Sequence, residues 1–220
     1  MENIIVNTEN PHLKLVHYET LLNCIITKKL SEKSEIHILD IGGGRGYGNI
    51  FDRRGIKYHV LDLNLLKNSE KISYIQGDIT DKNLELPKFD LIFTKDTFEH
   101  ILNPWDSTDN IANSLEEGGI FFFIAPFSWR YHSSPYDSYR YTHTGAQYIF
   151  ERNGRMRKLH SGYQYIDAKT SGFWKNKKDF TMNKNIFNEC IETIYVGEKD
   201  SNHVFCKSNL DSDFSNDHSN

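Results

Sequence analysis

Cysteine, long apolar runs and a surplus of basic charge are all scarce in this chain, and each shortage removes a class of protein. The three cysteines, Cys24, Cys190 and Cys206, lie far apart with no Cys-x-x-Cys pair. They offer neither a disulfide framework nor a thiolate metal site, and are expected as reduced, buried thiols. The longest apolar run, residues 119–127, is too short to span a bilayer. A formal net charge of -4 gives no overall basic field, so neither nucleic acid nor membrane is the expected partner. Residues 1–11 lack the basic start, apolar core and cleavage site of a signal peptide, so a cytoplasmic location is expected.

What remains is a chain of 220 residues, 38% hydrophobic, enough for one α/β domain with a sizeable core. Apolar residues at three- and four-residue steps (Leu15, Tyr18, Leu21, Leu22, Ile25, Ile26) predict an amphipathic helix over 14–30, within an N-terminal extension of residues 1–35. Short apolar runs predict strands at 36–41, 57–61, 72–75, 89–94 and 120–125. Helices are expected between them at 47–54 and from 105 or 106 to 117, with another at 144–152. The continuously apolar run 120–125 suits a central parallel strand covered on both faces. Weaker patterns suggest strands at 156–163 and 202–208, and the polar, aromatic stretch 165–190 fits neither pattern. The expected architecture is one Rossmann-like, seven-stranded, mostly parallel sheet with helices on both faces, a three-layer sandwich over residues 36–208. Residues 209–220 have the composition of a disordered tail.

The first strand ends in a glycine turn, Asp40-Ile41-Gly42-Gly43-Gly44-Arg45-Gly46, and a helical pattern follows at once. Strand, glycine turn and helix let a ligand approach backbone N–H groups at a helix N-terminus. Asp62 closes the second strand, 20 positions after Gly42, where a carboxylate can take both hydroxyls of a ribose. Asp78 closes the third and is followed by Ile79, an acceptor and an apolar surface suited to adenine. No phosphate-binding lysine follows the glycines. Their spacing, Gly42-x-Gly44-x-Gly46, differs from the G-x-G-x-x-G of dinucleotide folds, which argues against a nicotinamide dehydrogenase.

This ordered set resembles class I S-adenosylmethionine-dependent methyltransferases, of a branch associated with glycans and small metabolites. Leu39-Asp40-Ile41-Gly42-Gly43-Gly44-Arg45-Gly46 is similar to that family's first motif. Asp62, Gly77-Asp78-Ile79 and Phe89-Asp90-Leu91-Ile92-Phe93 follow in its order and spacing, then Asp96-Thr97-Phe98-Glu99-His100-Ile101 and the turn 115–120. The resemblance implies S-adenosylmethionine as cofactor, held by Asp40, Gly42, Gly43, Gly44, Gly46, Asp62, Leu63, Asp78, Ile79, the backbone of Lys95 and Asp96, and His100. The glycine-turn helix suits the cofactor's carboxylate, with Arg45 a second partner or simply exposed. Asp40 suits its cationic groups or serves to fix the loop.

Methyl transfer requires alignment of the acceptor and, for a hydroxyl, a base. Residues 126–143 hold two His, one Asp and two Arg among several aromatics, more chemistry than a connector needs. His132 is the expected base, oriented by Asp137, with Arg140 or Tyr136 shaping the acceptor site. The alternative reading pairs Asp137 with Arg140 to pin the loop and makes Thr142 the N-cap of the next helix. Glu99 and His100 are read as a helix start, with His100 packed on the cofactor. A metal set of His132, Asp137 and His143 is disfavoured, because hard cations prefer oxygen ligands, and no metal is expected. The expected acceptor is a small molecule or sugar, at oxygen. An RNA or protein methyltransferase and a non-catalytic cofactor-binding subunit are the alternatives. The stretch 165–190 is expected either to cover the acceptor or to form a homodimer contact.

Overall fold

The computed structural model describes residues 18–44, 48–64, 68–132, 135–165 and 191–205. Its centre is a seven-stranded sheet. The strands are β1 (Ile36–Ile41), β2 (Ile56–Asp62), β3 (Ile72–Gln76), β4 (Phe89–Lys95), β5 (Leu115–Ser128), β6 (Met156–Tyr165) and β7 (Ile191–Lys199). Their order is β3-β2-β1-β4-β5-β7-β6. The strands from β3 to β5 run parallel, while β7 is antiparallel to both of its neighbours. The chain steps outward from β1 to β3, then crosses back to lay β4 on the other side of β1. That reversal makes a crevice at the carboxyl ends of β1 and β4.

Alternation along the strands sorts the core into two layers. Ile120, Phe122 and Ile124 of β5 join Ile36 and Ile38 of β1 beneath α1 (Tyr18–Glu32), which contributes Leu21, Leu22, Ile25 and Ile26. Phe121, Phe123 and Ala125 face the other way with Leu39 and Ile41, toward α3 (Ser107–Ser114) and α4 (His143–Glu151). Both faces of β5 are therefore buried, as its unbroken apolar run requires. On the second face Phe98, Phe121, Phe123 and Phe150 pack edge-on or tilted against one another, with ring centroids of these pairs 4.7–5.6 Å apart. The expected three-layer architecture is present.

Several boundaries differ from the pattern-based expectation. The helix after the glycine turn, α2 (Gly48–Phe51), is only four residues long. Asp52, Arg53 and Arg54 beyond it are exposed and have no apolar face to bury, and the chain turns at Gly55 with φ +85°. α3 ends at Ser114 rather than 117, because Leu115 is fully buried and already paired with Phe89. Between that pair and Ile120 opposite Leu91, β5 spends five residues where β4 spends two. Glu116 to Gly119 thus form a bulge inside β5, with Gly118 at φ +72°. The last strand is Ile191–Lys199 and not 202–208. Ile194, Tyr195 and Val196 are buried consecutively because β5 and β6 flank them on either side. Cys24 is exposed on α1, against the expectation of a buried thiol. Gly46, Arg45, Cys190, Cys206, most of the 165–190 stretch, residues 1–17 and the 209–220 tail lie outside the described residues.

Candidate active site

At the carboxyl ends of β1, β2 and β4 lies a cavity of about 630 Å³. It is lined by eight of the residues singled out in the sequence: Gly42, Asp62, Leu63, Asp78, Ile79, Asp96, His100 and Tyr136. A second cavity, of about 540 Å³, is lined by His37, Lys57 and Ile72 among others. Those residues sit at the amino ends of the strands, away from the ligand crevice of an open α/β sheet.

The glycine turn is built by steric exclusion. Gly42 has φ +71° and Gly44 φ +55°, where side chains are disfavoured. A Cβ on Gly42 would fall 2.4 Å from Thr97 Cγ2, and one on Gly43 would fall 2.3 Å from Asp40 Oδ2. Asp40 lies beneath the turn and not in the cavity. Strand alternation places it with Ile36 and Ile38, fully buried, where Tyr58 donates a 2.5 Å hydrogen bond to its Oδ2. Its Oδ1 has no partner. Burial pushes the Asp40 carboxyl up to about 7, against the smaller opposing effect of the Tyr58 bond.

Asp62 and Asp78 share one device. Asp62 Oδ1 accepts from the Asn64 backbone N–H (2.9 Å) and side-chain amide (3.1 Å). Asp78 Oδ1 accepts from the Thr80 N–H (2.8 Å) and hydroxyl (2.7 Å). Each carboxylate is fixed through one oxygen, and the second remains for a ligand. Ile41, Leu61 and Ile79 supply the apolar wall beside them. Asp96 is the non-glycine residue with positive φ (52°) among those described, a strained conformation that collects at functional sites. The Lys95 ammonium pairs with Asp96 Oδ2 and Glu192 Oε1, both at 2.5 Å, and Lys95 is not among the residues that line the cavity.

The far end of the cavity meets the loop after β5. Phe98 is buried in the core and anchors a 3-10 turn, Phe98–His100. That turn carries Glu99 inward, fully buried with no hydrogen bond to either carboxylate oxygen. The Glu99 Oε1 is 3.6 Å from Nε2 of both His100 and His132. His100 Nδ1 donates to the Tyr136 carbonyl. His132 Nδ1 faces the Arg130 carbonyl at 3.2 Å and Asp137 Oδ2 at 3.4 Å. Burial is the main cause that pushes the Glu99 carboxyl up to about 8.

Asp137 and Arg140 form a two-point ion pair, at 2.5 and 2.8 Å. Asp137 also accepts from the His132 N–H at 2.7 Å. The Arg140 hydrogen bond holds the Asp137 carboxyl down at about 2, assisted by that N–H. Thr142 Oγ1 accepts from the Gly145 N–H as N-cap of α4, and the Tyr141 hydroxyl donates to the Phe98 carbonyl at 2.9 Å. The loop-pinning arrangement is therefore present, and Asp137 touches His132 as well. The set His132, Asp137 and His143 does not assemble, since the His143 ring packs edge-on against Tyr163 and Asp137 is taken by Arg140. The residue that sequence reasoning undervalued is Glu99, whose partner His132 lies 33 positions on.

The "Methyltransferase domain" family profile matches residues 15–167. No curated protein matches the chain in sequence. Among solved structures, it is similar to a chain of the complex between the Haloferax volcanii Trm112 methyltransferase activator and a methyltransferase. That match has TM-score 0.63 and 17% identity, covering 86% of this chain and 92% of that one. It is also similar to a protein described as a sarcosine dimethylglycine methyltransferase from Galdieria sulphuraria (TM-score 0.60, 13% identity, 84% and 86% covered). A third is phosphoethanolamine N-methyltransferase 2 of Haemonchus contortus in complex with S-adenosyl-L-methionine (TM-score 0.54, 15% identity, 80% and 52% covered). The fold and the crevice define a class I S-adenosylmethionine-dependent methyltransferase. The chain belongs to the methyltransferase domain family, and its cofactor is S-adenosylmethionine. The residues present fit that cofactor, with two carboxylates each bonded through one oxygen, an apolar wall and Gly42 of the glycine turn lining the same cavity. Among the described residues no helix is long and apolar enough to cross a membrane.

Proposed function

We propose that this methyltransferase acts in the cytoplasm on a hydroxyl oxygen of a small molecule or sugar. The observation that carries the reading is the junction of the cavity with the Glu99–His100–His132 cluster. His100 and Tyr136 line the cavity, and His132 stands directly behind them, its ring centroid 5.1 Å from that of His100. The bound cofactor supplies a methyl group already activated on a sulfonium, so the chain's task is to hold an acceptor and take its proton.

Asp62 and Asp78 hold the nucleoside end at the carboxyl ends of β2 and β3, and the amide groups of the glycine turn face the amino-acid end. The acceptor's hydroxyl is activated at His132. The Asp137–Arg140 pair fixes the loop and presents the Nε2 lone pair of His132, because Nδ1–H is committed to the Arg130 carbonyl and the Asp137 carboxylate. Exposed Tyr136 (53%) offers a ring at the mouth on which a sugar or flat acceptor can pack. A net charge of -4 and a partly polar mouth of this size favour such an acceptor over RNA.

Incubation with methyl-labelled S-adenosylmethionine and fractionated cell extract tests the reading. Label in a small-molecule or glycan fraction is expected. Label confined to RNA or protein would overturn it.

A further inference from the structure

We propose that Glu99, His100 and His132 ligate a divalent first-row transition-metal ion beside the cofactor cavity, and that this ion binds and acidifies the acceptor's hydroxyl. The inference rests on the proposed hydroxyl acceptor for its chemistry, but the site itself stands on geometry. One ligand atom from each residue lies within 4.8 Å of the other two, and Glu99 Oε1 is 3.6 Å from each imidazole Nε2. Tetrahedral ligands about 2.0–2.1 Å from a metal lie roughly 3.4 Å apart. The two Glu99–imidazole separations are already within a few tenths of an ångström of that value, and the imidazole nitrogens, within 4.8 Å of each other, would have to approach by up to about 1.4 Å.

Hydrogen bonding settles which atoms face inward. A carbonyl can only accept, so the contact of His100 Nδ1 with the Tyr136 carbonyl places the proton on Nδ1. The contacts of His132 Nδ1 with the Arg130 carbonyl and the Asp137 carboxylate do the same. Both neutral rings then turn an Nε2 lone pair toward Glu99, whose two oxygens are fully buried and without a hydrogen-bond donor. Two Nε2 lone pairs and the buried Glu99 carboxyl thus converge, and no hydrogen bond satisfies either carboxyl oxygen; a cation seated between them would supply the missing partner. Backbone and carboxylate partners on the outer nitrogens are also the support found behind metal-bound histidines.

Two imidazoles and one carboxylate select Zn²⁺, Fe²⁺, Co²⁺ or Mn²⁺ over Ca²⁺ or Mg²⁺, which favour all-oxygen shells. Three protein ligands leave a coordination position open. Because His100 lines the cavity and the His132 side chain is 36% exposed, that position is accessible to an acceptor. There the hydroxyl O–H bond breaks, the proton passes to solvent and the electron pair stays on oxygen.

The test uses the full-length, untagged chain after EDTA treatment and dialysis, titrated with Co²⁺ and followed by its visible absorption. One ion per chain is expected. Affinity should fall in Glu99→Gln and in His132→Gln by more than the roughly 10–100-fold that loss of an outer partner costs. Adenosylhomocysteine binding checks that each variant is folded. His132 is part exposed, so its variant carries the test if Glu99→Gln fails to fold. His59→Ala is the control, because the stacked His37–His59 pair, with nitrogens 3.4 Å apart, could chelate Co²⁺ on its own.

Absence of Co²⁺ binding, or binding that survives Glu99→Gln or disappears in His59→Ala, would overturn the site. Full methyl transfer by metal-free protein would overturn the ion's role and leave the imidazole of His132 as base. No transfer to any extract fraction, with Co²⁺ and adenosylhomocysteine binding intact, would count against the proposed acceptor and not against the ion site.

Discussion

Replacement of Asp40 by asparagine should make this protein more stable in mild alkali with little change in cofactor affinity. Asp40 is fully buried with one oxygen unpartnered, and burial raises its carboxyl from 3.8 to about 7. The folded chain therefore keeps a proton between about pH 4 and 7 that the unfolded chain has released. Stability falls as pH rises through that window and levels off above it. At about 1.4 kcal/mol per pKa unit, the ionised carboxylate costs the folded state roughly 4 kcal/mol.

Asparagine removes this cost, keeps an acceptor for the Tyr58 hydroxyl and adds an amide N–H whose burial costs about 1–3 kcal/mol. Between pH 5 and pH 8, some 2 units below the folded value and above it, the variant should gain roughly 3 kcal/mol on the parent. Urea unfolding followed by far-ultraviolet circular dichroism at several pH values measures the difference. A gap that does not change with pH would refute the reasoning. Adenosylhomocysteine affinity, read by calorimetry, should change little, because Asp40 lies beneath the turn and does not line the cavity.

Two further changes probe other parts of the site. Asp62→Ala should weaken adenosylhomocysteine binding by roughly 10–100-fold, corresponding to about 1.5–3 kcal/mol for a charged acceptor, while unfolding is little altered. Thr142→Ala removes the N-cap of α4, whose side chain accepts from Gly145. It should cost about 1 kcal/mol in urea unfolding, with cofactor affinity unchanged.

The cofactor half of the site was legible because it depends on single residue types at strand ends. Gly42 and Gly43 are required by contacts that a Cβ would violate, and Asp62 and Asp78 stand where the parallel strands stop. The unbroken apolar run in β5 likewise announced a strand buried on both faces. Other features depend on partners distant in sequence. Leu115 reads as the end of a helix until Phe89 pairs with it, and Glu116 to Gly119 resemble a helix stop until the sheet takes them in as a bulge. Strand β7 follows a long segment with no clear period, and its burial comes from strands on both sides. Glu99 carries the local signs of a helix start. Only folding sets it against His132, so neither periodicity nor spacing reported the cluster.

Single-turnover methyl transfer by His132→Ala, alongside its adenosylhomocysteine affinity, tests most directly that the acceptor is activated at this corner. Parental cofactor affinity is expected, with transfer slowed by at least about 100-fold. Parental transfer rates in a variant that binds cofactor normally would contradict the account.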